Sequence, residues 1–137
     1  VGDPMIPFVA GMLSSASSVS NVMLAGGTQM AAVLAFASKI GFNPENTAIG
    51  TTTYITGDTS ANFTSLVKEI ADIPAIAVNP GLENSQYSGL KAFSQGFAKE
   101  GVGAGGSIIS SMIKTGNDSS KFLTIAEKEY RRLFTSL

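Results

Sequence analysis

The chain contains no cysteine, no histidine and no tryptophan. Without thiols it can form no disulfide, no thiolate nucleophile and no cysteine-ligated zinc site. Without imidazole it lacks the commonest metal ligand, and every Ser-His-Asp or Cys-His mechanism is excluded. Acid–base chemistry must therefore rest on a carboxylate, a lysine or a tyrosine. Charge is also scarce: Asp, Glu, Lys and Arg make up 14% of the 137 residues, and the formal net charge is −1. Lys128, Arg131 and Arg132 near the C-terminus read as the wet face of a helix. No cationic stripe precedes them, so no nucleic-acid partner is expected. No apolar run reaches the roughly 20 residues that span a bilayer. Residues 30–40 are apolar over only about three helical turns, and no cationic leader with a cleavage site opens the chain. A soluble, cytoplasmic protein without a membrane partner is expected.

What is present is an alternation of helical patterns with short apolar runs. Residues 6–17 read as a helix entered through Pro4 and Pro7, where missing N–H groups cost least. Residues 21–25 form a strand that ends in Gly26-Gly27. Thr28 suits the N-cap of a helix running to Lys39 or Ile40, and Gly41 follows where a C′ glycine belongs. From 47 to 56 the residues Ile49, Thr51, Thr53 and Ile55 alternate as in a strand. Phe63, Leu66, Val67 and Ile70 make an amphipathic helical stripe. Residues 74–78 read as a buried parallel strand, broken by Asn79-Pro80-Gly81. Helices are then expected over 87–97, 102–114 and 119–134, the last setting Phe122, Ile125, Ala126, Leu133 and Phe134 against the core. The pattern predicts one α/β domain over residues 1–137, a three-layer, Rossmann-like parallel sheet flanked by helices.

In such a sheet, ligands bind outside the carboxyl ends of the strands. The segments leaving the three strands are Gly26-Gly27-Thr28-Gln29, Thr56-Gly57-Asp58 and Asn79-Pro80-Gly81, all small, polar or glycine-bearing. A second signal is the run Lys99-Glu100-Gly101-Val102-Gly103-Ala104-Gly105-Gly106. It places one carboxylate at the lip of a glycine-rich turn that opens into a helix. Glycines permit close backbone approach, and free N–H groups at a helix start favour anionic groups such as phosphate. The plain alternative is a tight loop whose glutamate caps the helix. Asp3, set between Gly2 and Pro4, is either a second ligand-binding acid or the cap of the first helix.

Taken in order, Gly2-Asp3-Pro4-Met5, Val9-Ala10-Gly11-Met12 and Val22-Met23-Leu24-Ala25-Gly26-Gly27-Thr28-Gln29-Met30 resemble archaeal-type relatives of nicotinate-nucleotide:dimethylbenzimidazole phosphoribosyltransferase. Lys99-Glu100-Gly101-Val102-Gly103-Ala104 resembles that family's Gly-Glu-Gly-x-Gly-Ala motif, with Asn79-Pro80-Gly81 where the family has a Pro-Gly turn. The resemblance covers nearly the whole chain and corresponds to the C-terminal part of the family's length. It implies a fragment of a longer chain, inactive alone. It further implies transfer of the phosphoribosyl group of nicotinate mononucleotide to 5,6-dimethylbenzimidazole or a related base, giving α-ribazole 5′-phosphate for the lower ligand of cobalamin. Glu100 would be the general base, with Gly2, Asp3, Gly26, Gly27, Thr28, Gln29, Asn79, Gly81, Gly101 and Gly103 around the substrates. No metal or other cofactor and a homodimeric assembly are implied. The chain departs from the bacterial members in having Gly26 where they carry an acid, and Ala77, Val78 and Leu82 around the Pro-Gly turn. Two other readings stay open: a non-catalytic nucleotide- or anion-binding module, and a purely structural α/β domain.

Overall fold

The computed structural model describes residues 2–96, 103–116 and 118–134. Three parallel strands, β1 (Val22–Ala25), β2 (Thr47–Thr52) and β3 (Ala75–Val78), pair in the order β1-β2-β3. Leu24 stands opposite Ile49 and Thr52 opposite Val78. On one face lie α1 (Met5–Ala16), α2 (Thr28–Ile40) and α4 (Phe63–Ile70); on the other lies α6 (Ala104–Thr115). Between β2 and α4 the chain makes a single helical turn, α3 (Thr53–Thr56); α5 (Ser88–Ser94) follows β3, and α7 (Ser120–Phe134) follows α6. The expected three-layer α/β arrangement is therefore the one observed.

The layers follow from the alternation of side chains along the strands. Leu24 and Ile49 face α1, α2 and α4, where they join Leu13, Val33, Leu34, Phe63 and Val67 in the larger core. Met23 and Val78 face the opposite way and pack with Ile108, Ile109, Met112 and Phe122. Alanines at 10, 31 and 37 are fully buried, which lets α1 and α2 approach closely. Gly41, at φ +94°, ends α2 as its sequence position suggested, and its N–H donates to the Ala37 carbonyl.

Four expectations need correction. The second strand stops at Thr52 rather than 56, because Thr53–Thr56 coil into a turn closed by Gly57 N–H on the Thr53 carbonyl. Thr28 is not the N-cap of α2. Gly27 occupies that position, and no side chain caps the helix. β3 is not a buried strand: Ala75, Ile76 and Ala77 are exposed, since it stands at an edge of the sheet. Finally, α7 buries none of its residues, and Ile125, Leu133 and Phe134 are exposed; its contact with the core is through Phe122. Among the described residues no helix is long and apolar enough to cross a membrane.

Candidate functional site

The carboxyl end of the sheet gathers most of the residues singled out from the sequence. Gly26 N–H donates to the Gly50 carbonyl at 3.0 Å, the bond that closes the last pair of the β1–β2 ladder, Ala25 with Gly50. Gly26 thus leaves β1 beside the end of β2, while Thr52 is level with Val78 on the other side. Gly26 and Gly27 are buried, and Thr28 and Gln29 are exposed at the start of α2. A Cβ at Gly26 would stand 2.6 Å from Met30 Cγ, so a side chain there would collide with the first turn of α2.

Asp3 takes the second of the two roles weighed for it, at the start of α1, and also reaches α2. One oxygen accepts the Met5 N–H at 2.9 Å, capping α1, and the other accepts Gln29 Nε2 at 2.8 Å. The amino ends of α1 and α2 are thus tied together by two residues 26 positions apart in the chain. The pair is exposed, and it presents an acceptor and an amide side by side next to Gly27, as hydroxyl-bearing ligands require.

The glycine-rich run divides in two. Glu100 and Gly101 lie outside the described residues. Gly103 is the N-cap of α6, and a Cβ there would come within 3.4 Å of the Ala25 carbonyl oxygen. Gly105 and Gly106, expected to line an open cradle, are instead buried against the strands. A Cβ on Gly105 would lie 2.1 Å from the Thr51 carbonyl carbon, and one on Gly106 2.8 Å from Ala25 Cα. These two glycines serve backbone-on-backbone packing of helix on sheet.

Asn79 and Gly81 sit in a hydrogen-bonded network that sequence reasoning did not anticipate. Asn79 Oδ1 accepts the Gly81 N–H at 2.8 Å, and its Nδ2 donates to Glu83 Oε1 at 3.2 Å. Gly81 adopts φ +71°, where a side chain would be strained. The Tyr54 hydroxyl donates a very short hydrogen bond to Glu83 Oε2 and accepts the Leu82 N–H at 3.0 Å. Burial, then the Glu83 hydrogen bond, pushes Tyr54 up to about 12. The same hydrogen bond holds the Glu83 carboxyl below the usual carboxylate range. The Tyr54 ring has a packing role as well. It stands edge-on against Phe93, and the hydroxyl pins α3 to the loop that leaves β3.

Two further polar groups were missed. The hydroxyls of Thr51 and Thr52, at the carboxyl end of the central strand, are completely buried and have no hydrogen-bond partner among the described residues. The signal lay in the run Gly50-Thr51-Thr52-Thr53: adjacent strand residues point to opposite faces, so one hydroxyl must be buried on each side. Among the described residues no cluster of acids forms a metal site. An apolar groove of about 290 Å³ runs along α6 from Ala104 to Thr115, walled by Phe122 and Ile125.

No protein-family model matches the chain. Its relatives are UPF0284 proteins. It is 40% identical to that of Picosynechococcus sp. over 93% of this chain and 36% of the relative. It is 42% identical to that of Aeropyrum pernix over 97% and 38%, and 44% identical to that of Methanosarcina acetivorans over 79% and 31%. The chain therefore spans about a third of the length of these relatives.

Proposed function

We propose that this chain carries the nucleotide-binding crevice of a phosphoribosyltransferase. The reaction moves the phosphoribosyl group of nicotinate mononucleotide to 5,6-dimethylbenzimidazole or a related base, forming the α-ribazole 5′-phosphate of the cobalamin lower ligand. The observation that carries the reading is the convergence of Asp3, Gly26, Gly27, Gln29 and Gly103 at the carboxyl ends of β1 and β2. That is where a parallel sheet receives a nucleotide. Asp3 and Gln29, two of the residues quoted for the resemblance and well separated in sequence, are direct partners in this region.

The chemistry suits the available residues. The azole nitrogen attacks the anomeric carbon as the bond from that carbon to the pyridine nitrogen breaks, and nicotinate leaves with the electron pair. The azole N–H proton passes to a carboxylate, for which Glu100 is our choice. A carboxylate desolvated beside an aromatic base has its pKa raised toward neutrality, which makes it a better base. Asp3 and Gln29 suit the ribose hydroxyls, and the uncapped start of α2 supplies N–H donors nearby. Neither histidine nor cysteine is needed.

The deciding experiment is Glu100→Ala in the longest polypeptide that carries the chain. Formation of α-ribazole 5′-phosphate should fall by about 10²–10⁴-fold, the usual worth of a general base, with binding of nicotinate mononucleotide retained. Wild-type turnover in the variant would remove Glu100 from the mechanism. Binding without any turnover in the unmodified protein would leave a ribonucleotide-binding module.

A further inference from the structure

A buried hydroxyl without a partner costs stability, so two side by side need an explanation. Thr51 and Thr52 are each 0% exposed, and both Oγ1 atoms are unpaired among the described residues. Thr51 follows the direction of Ile49 and faces the side of α2; Thr52 shares the direction of Val78 and faces α6. The pair therefore straddles the end of β2. Gly26, bonded to the Gly50 carbonyl, lies on one side and Val78, paired with Thr52, on the other, with the first turn of α6 pressed onto the Thr51 backbone. Beside it, α2 begins without a side-chain cap, and the Asp3–Gln29 pair stands on the same helix start.

We infer that the Thr51 and Thr52 hydroxyls are ligand contacts for the hydroxyl groups of a ribosyl substrate entering at the end of β2. The inference deepens the phosphoribosyl reading above and rests on it. The chemistry favours a neutral diol over the phosphate at this position. A threonine hydroxyl both donates and accepts, the helix N–H groups donate, and the Asp3 carboxylate accepts from a hydroxyl but repels an anion. Because the hydroxyls are sealed, binding must part the contacts that cover them. The unliganded chain thus holds a stability deficit that the ligand relieves.

Thr51→Val and Thr52→Val remove only the hydroxyls and keep the shape of the side chains. The probes are D-ribose 5-phosphate and 2-deoxyribose 5-phosphate, titrated by calorimetry into the full chain. The unmodified protein should bind ribose 5-phosphate at least about tenfold more tightly than the deoxy sugar. Each valine variant should lose about tenfold in affinity for ribose 5-phosphate, as expected for a lost hydrogen bond in a buried site. Without ligand, each variant should melt a few degrees higher, because an unpaired polar atom has become a methyl group. Thr51→Ser and Thr52→Ser, which keep the hydroxyl, should retain binding, and they carry the test if a valine variant fails to fold. Valine variants that melt lower and bind normally overturn the inference, as does an unmodified protein that binds neither sugar. Threonine-dependent binding of ribose 5-phosphate without transferase activity would sink the transfer reaction and leave these contacts standing.

Discussion

The two faces of the sheet are built in opposite ways. On the α1–α2–α4 face the helices bury alanine, valine and leucine to zero or near-zero exposure around Leu24 and Ile49. On the α6 face the buried cluster among the described residues is Val78, Ile108 and Ile109, with Met23, Met112 and Phe122 around it. Yet α7, on this second side, has a strong amphipathic pattern and buries nothing, while α1 and α2 have weak patterns and hold the core. Helical periodicity records which residues prefer one side. It does not say whether anything covers that side. Close approach through small residues joins α1 to α2 in the core, and the strongly patterned α4 adds Phe63 and Val67 to it.

That contrast can be broken experimentally. The largest effect should come from Gly105→Ala, whose new Cβ would fall 2.1 Å from the Thr51 carbonyl carbon. Backbone cannot yield as a side chain does, so a loss of about 3 kcal/mol or more is expected in urea unfolding. Leu34→Ala, in the larger core at 0% exposure, should cost about 3 kcal/mol by the same measurement. Tyr54→Phe should cost about 1 kcal/mol, because it removes the donor to Glu83 Oε2 and leaves the Leu82 N–H without its acceptor. Ile125→Ala on α7, which is 57% exposed, should change stability by less than about 0.5 kcal/mol. If Ile125→Ala costs as much as Leu34→Ala, the two faces are not built differently.

The Tyr54–Glu83 pair also sharpens the comparison through pH. The Glu83 carboxyl is held below its ordinary range by the Tyr54 hydroxyl. Its stabilising contribution is therefore present above the usual carboxylate pKa and fades as pH falls through the lowered value. Tyr54 behaves in the opposite sense. Raised to about 12, it contributes fully below its ordinary 10.0 and loses that contribution as pH rises through the raised value. Melting curves from acid to alkali should show both arms in the unmodified protein and a flatter profile in Tyr54→Phe.

The layer architecture was legible because it depends on local features: short apolar runs, helical spacing, and glycines at helix ends such as Gly41. The Asp3–Gln29 meeting was foreshadowed in that both residues were singled out, though nothing local joins positions so far apart. What failed to show depended on neighbours. Thr53 and Ile55 continue a perfect strand alternation, but the chain turns at Thr53 to let Tyr54 reach Glu83. Ile76 looks like a core strand residue and is exposed because β3 has a neighbour on one side only. Gly105 and Gly106 carry the composition of a phosphate cradle, and only the strand lying against them reveals that they are spacers. Glu100, the base chosen from the motif, falls outside the described residues.

The glycine contact between α6 and the strands has a mechanical consequence. Helices that rest on side chains slide or roll by switching rotamers, and the layer beneath absorbs the movement. At Gly105 and Gly106 no rotamer intervenes between the helix and Thr51 or Ala25. A displacement at the start of α6 is therefore handed directly to the tips of β1 and β2 instead of being absorbed between the layers.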